Sequence, residues 1–338
     1  AASGDLTPYY HPAQAFNRMR VKENQEPILL AGYRHEWAPG IQTLFLGGRL
    51  HDRAEVTLPD APTYAVFLNG LGQPSLGALE VDQAYRSRAV IYTAELQQIL
   101  QKENHTWVFG GRAQFGSFDS ENAFSGLASG SGFPATAVNR VSYSDSDFER
   151  FTAYLYDHWQ WTPSLLAVAG VTYDHVRYPL NHRFAPLIEG EQAQDQVSPK
   201  VGLVWTPRSD TTVRGAFARS LGGVAFDQSF QLEPSQIAGF NQVFRSLIPE
   251  SVANANSAAE FQMGALAIGH RVTSNTWVGV IGEWLNSDVD RVVGAWDVLS
   301  DPVVPPLSGM RLRQNLNYEE RSLTAYAYQL LGQEWSVG

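Results

Sequence analysis

SPKVGLVWTPRSDTTVRGAFARS, residues 198–220, is the stretch from which the fold can be read. Val201, Leu203 and Trp205 share one parity, and Lys200, Gly202 and Thr206 the other. After Pro207-Arg208-Ser209-Asp210, Val213, Gly215 and Phe217 alternate with Thr212, Arg214 and Ala216. Period two is the mark of a half-buried strand, because successive side chains point to opposite faces of the sheet. Proline and aspartate between the two runs form a tight turn. One face of this hairpin is apolar with a Trp beside the turn, while the other is small, polar or charged. Lipid on one side and a wet interior on the other suit such a pattern.

The same unit recurs along the chain. Glu26–Trp37 turns at Ala38-Pro39-Gly40 into Ile41–Leu50, and Arg88–Gln101 turns at Lys102–His105 into Thr106–Phe118. Arg150–Trp161 turns at Thr162-Pro163-Ser164 into Leu165–Tyr178, and Ala259–Arg271 turns at Val272–Asn275 into Thr276–Asp288. A last strand, Arg321–Leu331, enters Gly332-Gln333-Glu334. Ala94–Lys102, AELQQILQK, consists of good helix formers, yet the alternation from Val90 onward assigns it to a strand. The linkers Asp52–Tyr85, Asp119–Phe148, Pro179–Gln196, Leu221–Ala258 and Val292–Asn317 are long and polar or rich in Gly and Pro, so they are expected to be loops. Ile237, Phe240, Val243 and Phe244 follow Glu233-Pro234 at helical spacing and predict a short helix within Ser235–Leu247.

Strict alternation of tight turns and long loops is the habit of outer-membrane barrels, with turns on the periplasmic side and loops outside. Six tryptophans fit it. Trp37, Trp161 and Trp205 end strands entering a turn, Trp107 and Trp277 begin strands leaving one, and Trp335 follows the last. Indole rings favour the boundary between hydrocarbon and headgroups, so these six are the candidate periplasmic aromatic girdle. The expected fold is therefore all-β: an antiparallel transmembrane β-barrel, partial, of about eleven or more strands, located in the bacterial outer membrane. Residues 1–25 are expected to be a periplasmic lead-in and 26–338 the barrel.

Composition agrees with that reading. The chain has 338 residues, 44% hydrophobic and 12% aromatic, yet its mean hydropathy is −0.22, as expected where each apolar residue has a polar neighbour. No apolar run of 18 residues is present, which excludes helical membrane spans. A net charge of −10 argues against a nucleic-acid partner, and the absence of cysteine excludes disulfides and thiolate metal sites. Lipid of the outer membrane is the expected partner, with periplasmic or outer-membrane proteins as further candidates.

Residues Ser198–Gln242, ending in FQLEPSQIAGFNQ, resemble the late barrel strands of TonB-dependent outer-membrane receptors. In that family a Ser-Pro-Lys strand, a Trp-x-Pro turn, an Arg-Gly-Ala-Phe-Ala-Arg-Ser-like strand and a Leu-x-Pro loop follow in this order. The run is also similar to receptor-like barrels appended to tetratricopeptide-repeat regions. The resemblance implies a barrel that moves a solute across the outer membrane, without enzymatic activity or a cofactor. Ala1–Gln25 is too short for the family's plug, and the chain ends at Ser336-Val337-Gly338, after a turn. An odd strand count would leave an unpaired edge in hydrocarbon, so the chain is expected to be incomplete at its C-terminus or paired by another chain.

Alternation assigns Arg34, Glu36, Arg112 and Arg214 to the lumen, where they set the electrostatics of a pore or form ion pairs that hold a barrel closed. Arg112 shares its side with Thr106, Val108 and Gln114, opposite Trp107, Phe109 and Phe115. Metal chemistry has weak sequence support. His158, His175 and His182 would have to converge, and Asp145, Asp147 and Glu149 would have to chelate calcium rather than form a solvated acidic loop. Gly126–Gly132 matches no phosphate-binding or dinucleotide motif, and Asn104-His105-Thr106 falls in a turn. No catalytic constellation is present. Three functions remain: solute transport, a filled barrel that anchors a periplasmic repeat region or an outer-membrane assembly, and a soluble all-β binding protein.

Overall fold

The computed structural model describes residues 18–25, 27–130, 133–223, 230–242, 257–297, 308–332 and 335–338. Its strands are β1 (Arg20–Asn24), β2 (Leu29–Ala38), β3 (Ile41–Leu68), β4 (Pro74–Lys102) and β5 (His105–Gly130). They continue as β6 (Phe133–Thr162), β7 (Leu165–Asn181), β8 (Ile188–Arg208), β9 (Thr211–Leu221), β10 (Gln236–Ile237) and β11 (Phe240–Asn241). β12 (Glu260–Thr273), β13 (Thr276–Asp297), β14 (Ser308–Leu331) and β15 (Trp335–Val337) complete the set. All but β10 and β11 form one sheet.

At the end that carries the tight turns, eleven strands lie side by side: β2 to β9, then β12, β13 and β14. Each pairs antiparallel with the next, and Ala94–Lys102 is strand, within β4. Every tight turn expected from the sequence falls on this one rim, as the registers Ile41↔Leu100, His105↔Trp159, Leu165↔Trp205, Thr211↔His270 and Thr276↔Gln329 require. At the opposite end Tyr64–Val66 of β3 pairs with Ala295–Asp297 of β13, in parallel. The walk from β3 to β13 passes through nine strands. In a strictly alternating sheet the first and ninth run the same way, so only a parallel ladder can join them. Among the described residues the outer edge of β2 is unpaired, and that of β14 is paired only at Gln329–Leu331, with β15.

Four of the five expected long loops are largely strand. Asp52–Tyr85 is the distal part of the β3–β4 hairpin, turning at Asn69–Gln73, and β5–β6 extend through most of Asp119–Phe148. Only His182–Leu187 separates β7 from β8, and β13–β14 take up much of Val292–Asn317. The distal strands keep their alternation, with Leu79, Val81 and Gln83 buried inside and Glu80, Asp82 and Arg86 exposed outside. An outer face made for water gives these segments the composition of a loop. The expected helix in Ser235–Leu247 is absent from its described part. Gln236–Ile237 and Phe240–Asn241 pair as a small hairpin instead. Ala238-Gly239 turns between them with φ of 50° and 84°. Residues 243–247 lie outside the described set.

The outer face of the turn-proximal half is apolar. Leu96, Tyr92, Phe109, Phe115, Phe151, Leu155, Val171, Tyr173, Val197, Val201, Leu203, Leu266 and Ile268 are all exposed. The inner face of the same strands buries Glu95, Gln97, Arg112, Gln114, Arg150, Thr152, Asp174 and Lys200. That inversion of a soluble protein's arrangement is what hydrocarbon outside and a polar interior demand. From Trp205 to Val197 is eight residues, about 26 Å of strand, which at a tilt of about 40° rises about 20 Å, most of an apolar band about 25 Å tall. The chain's likeness to a soluble all-β protein ends with this face.

Candidate lumen site

Inside this half of the sheet lies a strap, Gln231–Gln242, which follows β9. The strap is mostly irregular, so few of its backbone groups pair in a ladder; the inner faces of β4 and β9 supply partners for some of them, and those of β5 to β8 bond its side chains. Glu95 of β4, 1% exposed, accepts from the backbone N–H of Leu232 at 2.8 Å and of Glu233 at 2.9 Å, and from the Tyr154 hydroxyl at 2.8 Å. Gln97 donates to the Leu232 carbonyl at 2.6 Å and Arg112 to the Gln231 side chain at 2.9 Å. The Gln242 amide donates to the Pro234 carbonyl, and the Ser220 hydroxyl to the Gln242 carbonyl.

The centre of the site is Glu233. Its Oε1 accepts from Lys200 Nζ at 2.9 Å, Tyr156 at 2.5 Å and Thr172 at 2.8 Å. The Lys200 and Glu233 side chains are 4% and 9% exposed. A pair so removed from water contributes to stability only while both partners and their hydrogen bonds remain. A second buried pair, Arg150–Asp174 at 2.8 Å, lies one strand pair away, and Arg150 also donates to the carbonyls of Leu221 and Gly222 where the strap's lead-in leaves β9. Ile237 is fully buried against Tyr156 and Val168. Gly202 makes room for it: a Cβ there would lie 2.5 Å from the Ile237 Cγ2. Between strap and wall the remaining cavity is about 20 Å³, lined by Arg150, Lys200, Glu233 and Gln242 among others, room for about one water. A larger cavity of about 170 Å³ lies toward the distal end, lined by Thr63, Gln83, Phe124, Phe184 and Arg291 among others.

Of the lumen candidates, Arg112 is buried in this network, and Arg214 lies 5.1 Å from the centre of the Phe240 ring of the strap. Arg34 and Glu36 lie on the inner parity of β2, 3.7 Å apart, with side chains 60% and 50% exposed. They form a separate pair outside the strap network. Trp37, Trp161, Trp205 and Trp335 are exposed and Trp107 and Trp277 half-buried at the turn rim. Sequence reasoning missed two members of that rim. Trp107, His105, Trp159 and Trp161 form a continuous stack, with centroid separations of 5.3, 5.4 and 5.3 Å. His105 Nδ1 is held 2.9 Å from Asp157. The parity shared by residues 157, 159 and 161 was the available signal. Missed as well were Glu95, Lys200 and Glu233 as a unit, since nothing local links three positions so far apart in sequence.

The histidines do not converge. His175 is bonded to Asp195 on the outer face at 2.9 Å, and His182 is buried against Phe118. The Asp147 backbone N–H donates to the Glu191 carboxylate at 2.8 Å, and Glu149 pairs with Arg177 at 2.6 Å. Among the described residues no group of His, Asp and Glu is placed to hold a metal.

A family model described as TonB dependent receptor-like, beta-barrel, matches residues 3–269. Among solved structures the chain is similar to BauA, the ferric preacinetobactin receptor from Acinetobacter baumannii, at 8% identity and a TM-score of 0.50, covering 92% of this chain and 43% of that one. It is also similar to P. aeruginosa FpvA bound to heterologous pyoverdines, at 12% identity and a TM-score of 0.52, covering 91% of this chain and 38% of that one. The chain thus spans about two-fifths of the length of these structures, and at such identities the likeness concerns the fold. No curated protein matches.

Proposed function

The chain belongs to the TonB-dependent receptor-like β-barrel family of the Gram-negative outer membrane, a family of transport receptors rather than enzymes, and on that footing we propose that it forms part of a barrel that passes a solute through its polar interior. The observation that carries this reading is the pairing of an apolar outer band with an inner face of buried, hydrogen-bonded charge: Glu95, Arg112, Arg150, Asp174, Lys200 and Glu233. A barrel meant only to be filled has no need of ionised groups inside, since apolar packing of the same volume is often no less stable. The cavity of about 170 Å³ beyond the strap supports solute entry from the distal, extracellular side. Outer-membrane lipid is the proposed partner of the outer band. Glu95 and the Lys200–Glu233 pair serve as the latch that holds the strap across the path.

Planar-bilayer conductance tests this. The protein is expected to be nearly silent as isolated and to conduct once Glu95→Gln and Lys200→Met together release the strap. One observation favours a second reading, a filled and non-transporting barrel: the space left beside the strap is only about 20 Å³. Silence in both forms, with the barrel intact, would establish that second reading instead.

A further inference from the structure

We infer that the distal cavity of about 170 Å³ is a binding site for a small planar carboxylate, of the size of benzoate. The cavity lies where the two ends of the sheet meet. Tyr64 of β3 stands opposite Ala78 of β4 on one side and Ala295 of β13 on the other. Phe184-Ala185, between β7 and β8, passes behind this joint and is tied to both of its sides. Thr63 Oγ1 donates to the Ala185 carbonyl at 3.1 Å, and the Gly294 N–H to the Phe184 carbonyl at 2.9 Å. Gly294 must stay small, since a Cβ there would collide with the Pro186 carbonyl. Walls anchored on two sides make a preformed pocket.

The lining fixes the chemistry of the ligand. Tyr64, Phe124 and Phe184 supply flat aromatic walls, with Ala78 and Ala185 between them. Phe124 is buried and braced by Trp296, the ring centres 5.4 Å apart. Thr63 and Gln83 also line the space, but their donors are engaged, the first with Ala185 and the second with the Asn122 side chain at 2.6 Å. Among the described residues that line the cavity, Arg291 alone is charged. Its Nε–H donates to Gln314 at 3.0 Å and its Cζ lies 4.3 Å from the centre of the Phe184 ring, so the plane of the guanidinium is set. A planar guanidinium beside aromatic walls suits a carboxylate carried on a ring. A hydrated tetrahedral anion would lose its water shell to walls that cannot replace it. An apolar cavity of about 150 Å³ takes up benzene, so this one holds a single six-membered ring with its carboxylate at Arg291, and a ligand of several rings does not fit.

That this ligand is the solute the barrel passes rests on the transport reading above; the site itself does not. Calorimetric titration of the folded protein in maltoside micelles tests it, with benzoate and its neutral isostere benzamide as probes. Benzoate is expected to bind saturably and about tenfold more tightly than benzamide. Arg291→Gln is expected to abolish that preference. Arg219→Gln, which removes an arginine already held by Glu260 at 2.6 Å, is expected to keep it. Ala78→Phe fills the cavity from its other wall and is expected to remove the binding of both probes, which decides the matter should the Arg291 variant fail to fold. The heat-dependent gel shift of folded barrels verifies each variant. No saturable uptake of benzoate, equal affinity for benzamide, full binding in Ala78→Phe, or displacement by inorganic phosphate would overturn the assignment. Conductance is read separately: a silent barrel that binds benzoate loses transport and keeps the site, whereas a conducting barrel that ignores benzoate loses the site and keeps transport.

Discussion

Lys200 is the residue at which the opening strand's pattern and the interior chemistry meet. Its parity places it among Ser198 and Gly202 on the inner face, and there it holds Glu233. Lys200→Met leaves a carboxylate buried without its cation and is expected to cost about 3–5 kcal/mol, measured by urea unfolding in detergent, while adding Glu233→Gln recovers most of the loss. A cost of less than 1 kcal/mol for the single change would mean that the pair is solvated. Two positions along, Gly202→Ala sets a Cβ against Ile237 and is expected to cost about 1–3 kcal/mol. Hydrogen exchange should quicken at residues 236–242 while the flanking ladders stay protected. The parity of Lys200, Arg112 and Arg214 was legible because alternation is local. Their partners were not: Glu95 bonds to Leu232 and Glu233 across more than 130 residues, and no periodicity encodes such a meeting.

At the scale of the element, every tight-turn hairpin on the tryptophan rim was readable from its alternation and a turn carrying Pro, Gly, Asp or Asn. The extents of the strands were not. Hairpins standing in water above the bilayer carry charges on their outer face, so β3–β4 and β5–β6 look like loops beyond Asp52 and Asp119 although their ladders continue. β1 is a short edge strand, five residues paired to Arg53–Thr57. Next to it, burial and then the Glu23 carboxylate push the Asp52 pKa up from 3.8 to about 6, against the lowering influence of Arg183. An acid whose folded pKa is raised favours the fold most below its unfolded pKa, and that advantage is lost as pH rises from 3.8 through about 6. Amides of Arg20–Asn24, corrected for intrinsic rate, should therefore exchange faster above pH 6 than near pH 4, and Asp52→Asn should remove the difference. The same pH dependence in the variant would assign the effect to another group.

For the molecule as a whole, the ordering of two surfaces matters more than the strand count: an apolar skin outside and bonded charge inside, bounded by a tryptophan rim at the turns and an aromatic tier at Tyr92, Phe115 and Phe151. The rim was legible in sequence because six of the nine tryptophans sit beside turns. The parallel ladder between β3 and β13 was not, since it depends on how far nine strands curl before their ends meet. Because the chain lacks cysteine, single cysteines can be placed at each position of Val197–Thr206 and spin-labelled in bilayers. Collision rates with oxygen and with a soluble nickel chelate then read the surroundings of each. A membrane barrel gives oxygen maxima at Val197, Val201, Leu203 and Trp205 with nickel excluded there, and the opposite bias at Ser198 and Lys200. Nickel access at Val201 and Leu203, or loss of the period-two alternation, would contradict it.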